Sequence, residues 1–276
     1  MKKRKEVGAM GLIEIDRLKC KLCGLCAKAC PAGIIVQEES FPETVEKIQR
    51  HCISCGHCVA ACPAAALTHS RMHPSDCMDL ADSWRVPVEK MEQFVKGRRS
   101  VRRYLSDPVS PLVIEKLLDI VRYAPTGMNV QQVQWQVYLD QAELKRLTVI
   151  AVDWLHILLL KGAPGAKGMI KAWERGEDRI LRNAPHLIIA HGKAGDSAGK
   201  FSSVIALTTL ELAALSFGLG ACWAGFLFQA ASTYQEMFDA LDLPPGHIMY
   251  GGLVFGYPEF EYARIPARKA AEVIWR

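Results

Sequence analysis

The spacing of apolar residues changes character near residue 88. Before it, apolar positions come in short runs set between polar, cysteine-rich stretches. Leu12-Ile13-Glu14-Ile15-Asp16, Ile34-Ile35-Val36 and Ala66-Leu67-Thr68 read as short strands. After it, helical periods take over. Val88–Lys96 reads as a short helix ended by Gly97. Ser110-Pro111 supplies an N-cap with proline in the first turn, and Val113, Ile114, Leu117, Leu118 and Val121 then share one face. Trp135–Leu139, Leu187–Ala190 and Met249–Phe255 are short apolar runs bounded by turn residues, hence strands. Ser202–Phe217 is the longest helix, closed by Gly218. Val204–Ala231 is nearly uncharged, but Glu211 lies inside it and Gly218, Gly220 and Gly225 break its second half. It reads as a buried core helix followed by a loop, with a membrane span as the alternative. Residues 141–182 fit no single period and are read as including a mobile cover over a site. The class is α+β or α/β.

The cysteines sharpen the first part. Cys20–Pro31 reads C-K-L-C-G-L-C-A-K-A-C-P and Cys52–Pro63 reads C-I-S-C-G-H-C-V-A-A-C-P. Both are Cys-x2-Cys-x2-Cys-x3-Cys-Pro, displaced by 32 positions (Cys20 to Cys52), and they hold all but Cys77 and Cys222 of the 10 cysteines. A zinc site needs two Cys-x2-Cys pairs and no more. A third and fourth cysteine at this spacing, repeated, is the ligand run of a pair of [4Fe–4S] clusters. In such runs the fourth cysteine serves the other cluster. One set is then Cys20, Cys23, Cys26 and Cys62; the other is Cys52, Cys55, Cys58 and Cys30. Residues 8–70 resemble bacterial-type two-cluster ferredoxin domains, in which the metal supplies much of the folding free energy. Residues 71–87 follow as a linker. Cys77 lies near His69 and His73 and is read as a bystander thiol. His51 and His57 are read as tuning the field around the second run.

Charge changes the picture less than it first suggests. The 276 residues carry a formal net charge of +5. Two oxidised clusters, each near −2 with its four thiolates, would bring the balance to about +1. That removes the charge argument for a nucleic-acid partner, and Lys2–Lys5 reads as a solvated terminus. Regular thiol spacing points to a reducing cytoplasm, with no signal peptide and no membrane partner expected.

The second part is densest in chemistry at Gly97-Arg98-Arg99-Ser100-Val101-Arg102-Arg103-Tyr104. Guanidinium groups beside a hydroxyl suit a phosphate dianion; alone, the run reads equally as a solvated basic face. Three further stretches accompany it: Ala124-Pro125-Thr126-Gly127-Met128-Asn129-Val130-Gln131, Gly218-Leu219-Gly220-Ala221-Cys222-Trp223-Ala224-Gly225, and Gly256-Tyr257-Pro258 before Arg268-Lys269. With all four in this order, residues 88–276 resemble the nitroreductase family of FMN enzymes. The resemblance implies an α+β sandwich, a homodimer and one FMN at each subunit interface. By matched position it implies that Arg98, Arg99, Ser100 and Arg102 hold the FMN phosphate, with Arg268 or Lys269 from the C-terminal end. It implies Asn129 on the flavin ring, from the partner subunit, and the backbone N–H groups of Ala224 and Gly225 near flavin N5. Gln132 stands where many relatives have proline, and Ala224 where others have glutamate, so no catalytic acid is assigned. Glu211 is read as pairing with an arginine across the dimer.

Together these features describe an α+β oxidoreductase with its own electron supply. Electrons from a low-potential donor, a ferredoxin-like protein or a reductase, would pass through the clusters to FMN. A small organic acceptor such as a nitroaromatic, quinone or activated alkene would take them. The alternative is a relay or redox sensor that hands electrons to a protein partner.

Overall fold

A computed structural model describes residues 11–276. The basic run at Lys2–Lys5 and residues 8–10 of the ferredoxin-like segment lie outside the described residues. The chain forms two compact units that divide between Val86 and Pro87.

The first unit is a pair of two-stranded sheets carrying two short helices. Its elements in order are β1 (Ile13–Ile15), α1 (Leu25–Ala29), β2 (Ile35–Val36), β3 (Glu43–Thr44), α2 (His57–Ala60) and β4 (Leu67–His69). β1 pairs antiparallel with β4, Ile13 opposite His69 and Ile15 opposite Leu67. β2 pairs with β3. The buried core is small, centred on Cys26, Ile35, Cys58, Val59 and Leu67. The backbone repeats as the sequence does. Leu22 and Ser54 have φ of 52° and 51°, Gly24 and Gly56 have 69° and 73°, and Gly33 and Ala65 have 60° and 48°. Positive φ at Leu22, Ser54 and Ala65 is strained backbone, which persists only where the surroundings impose it. The supposed linker is partly structured: His73 caps a short 3₁₀ turn at Pro74–Asp76.

The second unit places helices on both faces of one antiparallel sheet. Its elements are α3 (Val88–Gly97), α4 (Pro111–Val121), β5 (Gln134–Tyr138), α5 (Gln141–Leu160), α6 (Ala166–Glu174), β6 (His186–Lys193), α7 (Ser197–Leu215), β7 (Gly220–Trp223), α8 (Gly225–Thr233), α9 (Gln235–Ala240) and β8 (His247–Gly256). The sheet order is β5-β6-β8-β7. Side chains alternate between its faces. Leu187, Ile189 and Val254 point into a core closed by α5, α6, α8 and α9. Ile188, Ala190, Leu253 and Phe255 point into another closed by α4 and α7. With both faces covered, the central strands are apolar throughout, which is why they read as continuous runs.

Several expectations need correction. Residues 141–182 are not a mobile cover. Helix α5 buries Leu144, Leu147, Ala151, Val152, Trp154 and Leu155, and α6 buries Ile170. Ser110 precedes α4 but makes no side-chain cap; Pro111 alone marks the start. Gly97 is the last residue of α3, not the one after it. The glycine-spaced stretch after α7 is not all loop, since Gly220–Trp223 pairs with β8 from Gly220 opposite Gly256 to Trp223 opposite Leu253. Helix α7 is long and apolar enough to cross a membrane by composition, yet its Ala206, Leu207, Leu210 and Ala214 are buried against the sheet.

Candidate cluster and flavin sites

In the first unit the eight repeat cysteines line two separate cavities. Cys20, Cys23, Cys26 and Cys62 border one. Cys30, Cys52, Cys55 and Cys58 border the other. Each cavity therefore takes three thiols from one run and the fourth from the other. All ten cysteines are free thiols, and no three His, Cys, Asp or Glu among the described residues converge on a single metal ion.

The cavities suit a group larger than one ion, with negative charge spread over sulfur. Backbone N–H groups already point at the sulfurs: Ile34 N–H donates to Cys30 Sγ at 3.4 Å and Ala66 N–H to Cys62 Sγ at 3.2 Å, again at repeat-equivalent positions. Ser54 N–H donates to Cys52 Sγ at 3.4 Å. Burial raises the Cys26 thiol and pushes Cys58 up to about 11. A positively charged partner inside the cavity would oppose that burial and favour the thiolates. The residues present fit a pair of iron–sulfur clusters.

His51 and His57 flank and enter the second cysteine run. His51 Nε2 receives Arg50 Nε at 3.5 Å. The histidine that reaches a cysteine is His69, with Nε2 at 3.4 Å from Cys52 Sγ. Cys77 is exposed, its thiol 3.7 Å from the His73 carbonyl.

In the second unit three of the four sequence features converge. The segment after α3 runs beside β7, with Ser100 bridged to Ala221 and Val101 N–H donating to Ala221 O at 2.9 Å. It continues along the chain end, where Leu105 N–H donates to Tyr257 O at 2.9 Å and Tyr104 is bridged to Pro258. Glycine is required at 220, since a Cβ there would lie 2.7 Å from Val101 Cβ. At 256 it would lie 2.6 Å from Pro185 Cγ. These glycines let three segments pack backbone to backbone.

This junction holds the cations. Arg98 Nη1 forms a 2.9 Å ion pair with Glu211 Oε1, and Trp223 Nε1 donates to Glu211 Oε2 at 3.3 Å. Glu211 therefore finds its arginine within its own chain. Arg102 is exposed and its charge lies near Cys222, whose thiol is raised chiefly by burial. Arg182, which sequence reading missed, sits in the same neighbourhood, its charge disfavoured chiefly by burial and also by Arg102. Its mark in the sequence was only a lone cation before Ala184-Pro185. Arg99 and Ser100 are half-buried at the same turn. These cations outnumber the carboxylates beside them, Glu211 on Arg98 and Asp178 near Arg182, and suit an anionic group.

Of the two expected backbone donors, one is engaged. Ala224 N–H donates to Gly252 O at 2.9 Å, so that donor is already taken. Gly225 opens α8, where first-turn N–H groups lack helical partners, and no atom lies within 4 Å of where its Cβ would be. A flat ring could approach there. Arg268 and Lys269 lie in the exposed, irregular stretch that follows the Glu259 N–H to Arg103 O bond of 3.2 Å.

The fourth feature sits elsewhere. In the Asn129 loop, Met128, Asn129 and Gln131 have φ of 52°, 54° and 53°, a cluster of strain typical of functional loops. Gln131 N–H donates to Thr126 Oγ1 at 2.9 Å. A Cβ at Gly127 would lie 3.9 Å from Ala198 Cβ, in the first turn of α7. Ala198 and Glu211 are 13 residues apart on that helix, a rise of about 20 Å. One chain thus keeps Asn129 and the arginines at opposite ends of α7.

Comparison with known proteins decides what this architecture is. Residues 95–257 match the model of the nitroreductase family. The chain belongs to the nitroreductase family. Residues 12–63 match the 4Fe-4S dicluster domain. A curated relative is the FMN reductase [NAD(P)H] of Bacillus subtilis, 28% identical over 184 residues, 64% of this chain and 70% of that protein. Another is the 5,6-dimethylbenzimidazole synthase of Rhodospirillum rubrum, 28% identical over 185 residues, 62% of this chain and 83% of that one. Among solved structures, a nitroreductase with bound FMN from Bacteroides fragilis covers 66% of this chain and 96% of its own, at TM-score 0.53 and 24% identity. A BluB-like flavoprotein from Clostridium difficile covers 67% and 99%, at TM-score 0.55 and 19% identity. These likenesses show a nitroreductase fold behind a dicluster domain.

Proposed function

We propose that this family member is an iron–sulfur flavoprotein oxidoreductase that feeds a single flavin through its own clusters. Its cofactors are two [4Fe–4S] clusters and FMN. The observation that carries the reading is the sorting of the eight cysteines into two four-thiol cavities within a chain whose other unit has the nitroreductase fold. Cys20, Cys23, Cys26 and Cys62 hold one cluster, and Cys30, Cys52, Cys55 and Cys58 the other. Arg98, Arg99, Ser100 and Arg102, with Arg182, hold the FMN phosphate, and Gly225 N–H faces the flavin ring. Asn129 of a second copy completes the site. The separation of Asn129 from the arginines along α7 supports a homodimer.

Clusters carry electrons singly, whereas FMN collects two and releases them together. The protein turns one into the other. A low-potential donor loads it, and an organic acceptor such as a nitroaromatic, quinone or activated alkene is reduced.

Anaerobically purified protein should show flavin bands over broad cluster absorption, with iron near eight atoms per chain. Replacing Arg98 and Arg102 together by Ala should empty the flavin site and leave cluster absorption intact. Catalytic reduction of the flavin by NADH alone, anaerobically and with clusters removed, would sink the electron-supply role. An absence of turnover with every acceptor tried would favour the relay to a protein partner.

A further inference from the structure

The two cavities are built by the same backbone twice, so what distinguishes their contents must lie in side chains. Advancing 32 positions carries Cys20 to Cys52, Gly24 to Gly56 and Cys30 to Cys62, and it also carries Gln37 to His69. Gln37 borders the first cavity and His69 the second. The equivalent positions differ in what they do. Gln37 Oε1 is buried with no hydrogen-bond partner. His69 is 4% exposed and places Nε2 at 3.4 Å from Cys52 Sγ.

The tautomer of His69 follows from its other contact. Arg71 N–H donates to Nδ1 at 3.1 Å, so Nδ1 is an acceptor and the ring proton of the neutral form is on Nε2. Nε2–H therefore donates to the Cys52 sulfur. The ring is held in place from both sides. His69 pairs with Ile13 across β1 and β4, and its backbone exchanges 2.9 Å hydrogen bonds with Met72. Met72 in turn lies against Gly56, where a Cβ would meet its sulfur at 2.7 Å. The Ile34 and Ala66 N–H groups act alike at the two cavities. Ser54 also gives its backbone N–H to Cys52 Sγ at 3.4 Å, and Lys21, at the first cavity, is exposed and screened by solvent.

A donor aimed at a ligand sulfur stabilises the more negative, reduced form of a cluster and so raises its potential. Resting on the cluster reading above, we infer that His69 is a positioning residue that raises the reduction potential of the cluster held by Cys52, setting it apart from its twin. Electrons entering the first unit then settle preferentially on the His69 side, which gives two nearly symmetric sites a fixed order.

The test is a redox titration of the full holoprotein followed by electron paramagnetic resonance. His69→Phe keeps a buried ring and removes the donor, so one midpoint potential should fall while the other stays. His69→Gln, whose amide can donate from a similar position, should bring it back toward wild type. Unchanged midpoints in His69→Phe with full iron content overturn the inference. If that variant loses iron, the wild type decides: protein labelled with 15N-histidine and reduced should show a weak nitrogen coupling by pulsed resonance, and its absence overturns the inference. Wild-type protein without iron would instead refute the cluster reading itself.

Discussion

The two units solve the problem of stability in opposite ways. The first gathers a handful of apolar side chains around Ile35, Val59 and Leu67, and two of its buried core residues are the thiols Cys26 and Cys58. Its strands are two or three residues long. The second buries whole faces of a four-stranded sheet beneath helices on both sides. At about 1.5–3 kcal/mol for each large apolar side chain fully buried, a two-sided core can carry its own folding. A core of five buried residues, two of them thiols, cannot. The lesson is that cofactor loss should mean different things in the two halves: unfolding in one, an empty site in the other.

The strongest way to break that comparison is to remove the iron. Anaerobic chelation should leave residues 11–86 open to limited proteolysis while the remainder resists, and simultaneous digestion of both halves would contradict it. Next in size is Leu207→Ala, which truncates a fully buried side chain between α7 and the sheet. It should cost about 2–5 kcal/mol in urea unfolding of the second unit, with iron content unchanged. Smaller again is Gly220→Ala, which crowds Val101 against β7. A loss of about 1–3 kcal/mol is expected, together with weaker flavin retention because the arginine segment must shift; retention at wild-type strength would argue against that placement.

The smallest effect is one of pH. His186 is buried, and its Nε2 accepts the Val109 N–H at 2.8 Å. Burial lowers its pKa below the ordinary 6.5, and burial lowers His191 in the same sense. The unfolded chain therefore takes up protons first. Stability contributed by the neutral rings is complete above about 6.5 and declines as the pH falls toward the folded values. The urea midpoint of the second unit should drop in that window, and His186→Gln should make the decline shallower. A slope identical to wild type would remove His186 from the account.

The chemistry-bearing residues were more legible in the chain than the shape around them. Cysteine spacing announces itself because a cubane fixes the ligand interval. The four flavin-side features are equally local. What stayed hidden depends on tertiary contact. Gly220–Trp223 has neither the length nor the alternation of a strand and becomes one only by pairing with β8. Helix α5 obscured its own period because its buried stripe includes Thr148 and Ala151 while apolar Val149, Leu159 and Leu160 stay exposed. Glu211 was readable as an ion-pair partner, but its arginine lay 113 positions away in the same chain. His69 could have been found earlier: the 32-residue offset that aligns the cysteines also sets it against Gln37.

The distance between Asn129 and Arg98 along α7 carries a genetic meaning. If each flavin pocket takes its arginines from one chain and its asparagine loop from another, two different defects can cover for each other. A chain with Arg98 and Arg102 replaced and a chain with Asn129 replaced would each be inactive alone. Expressed together, their mixed dimers would hold one doubly damaged pocket and one intact pocket. Activity would reappear from two dead parents.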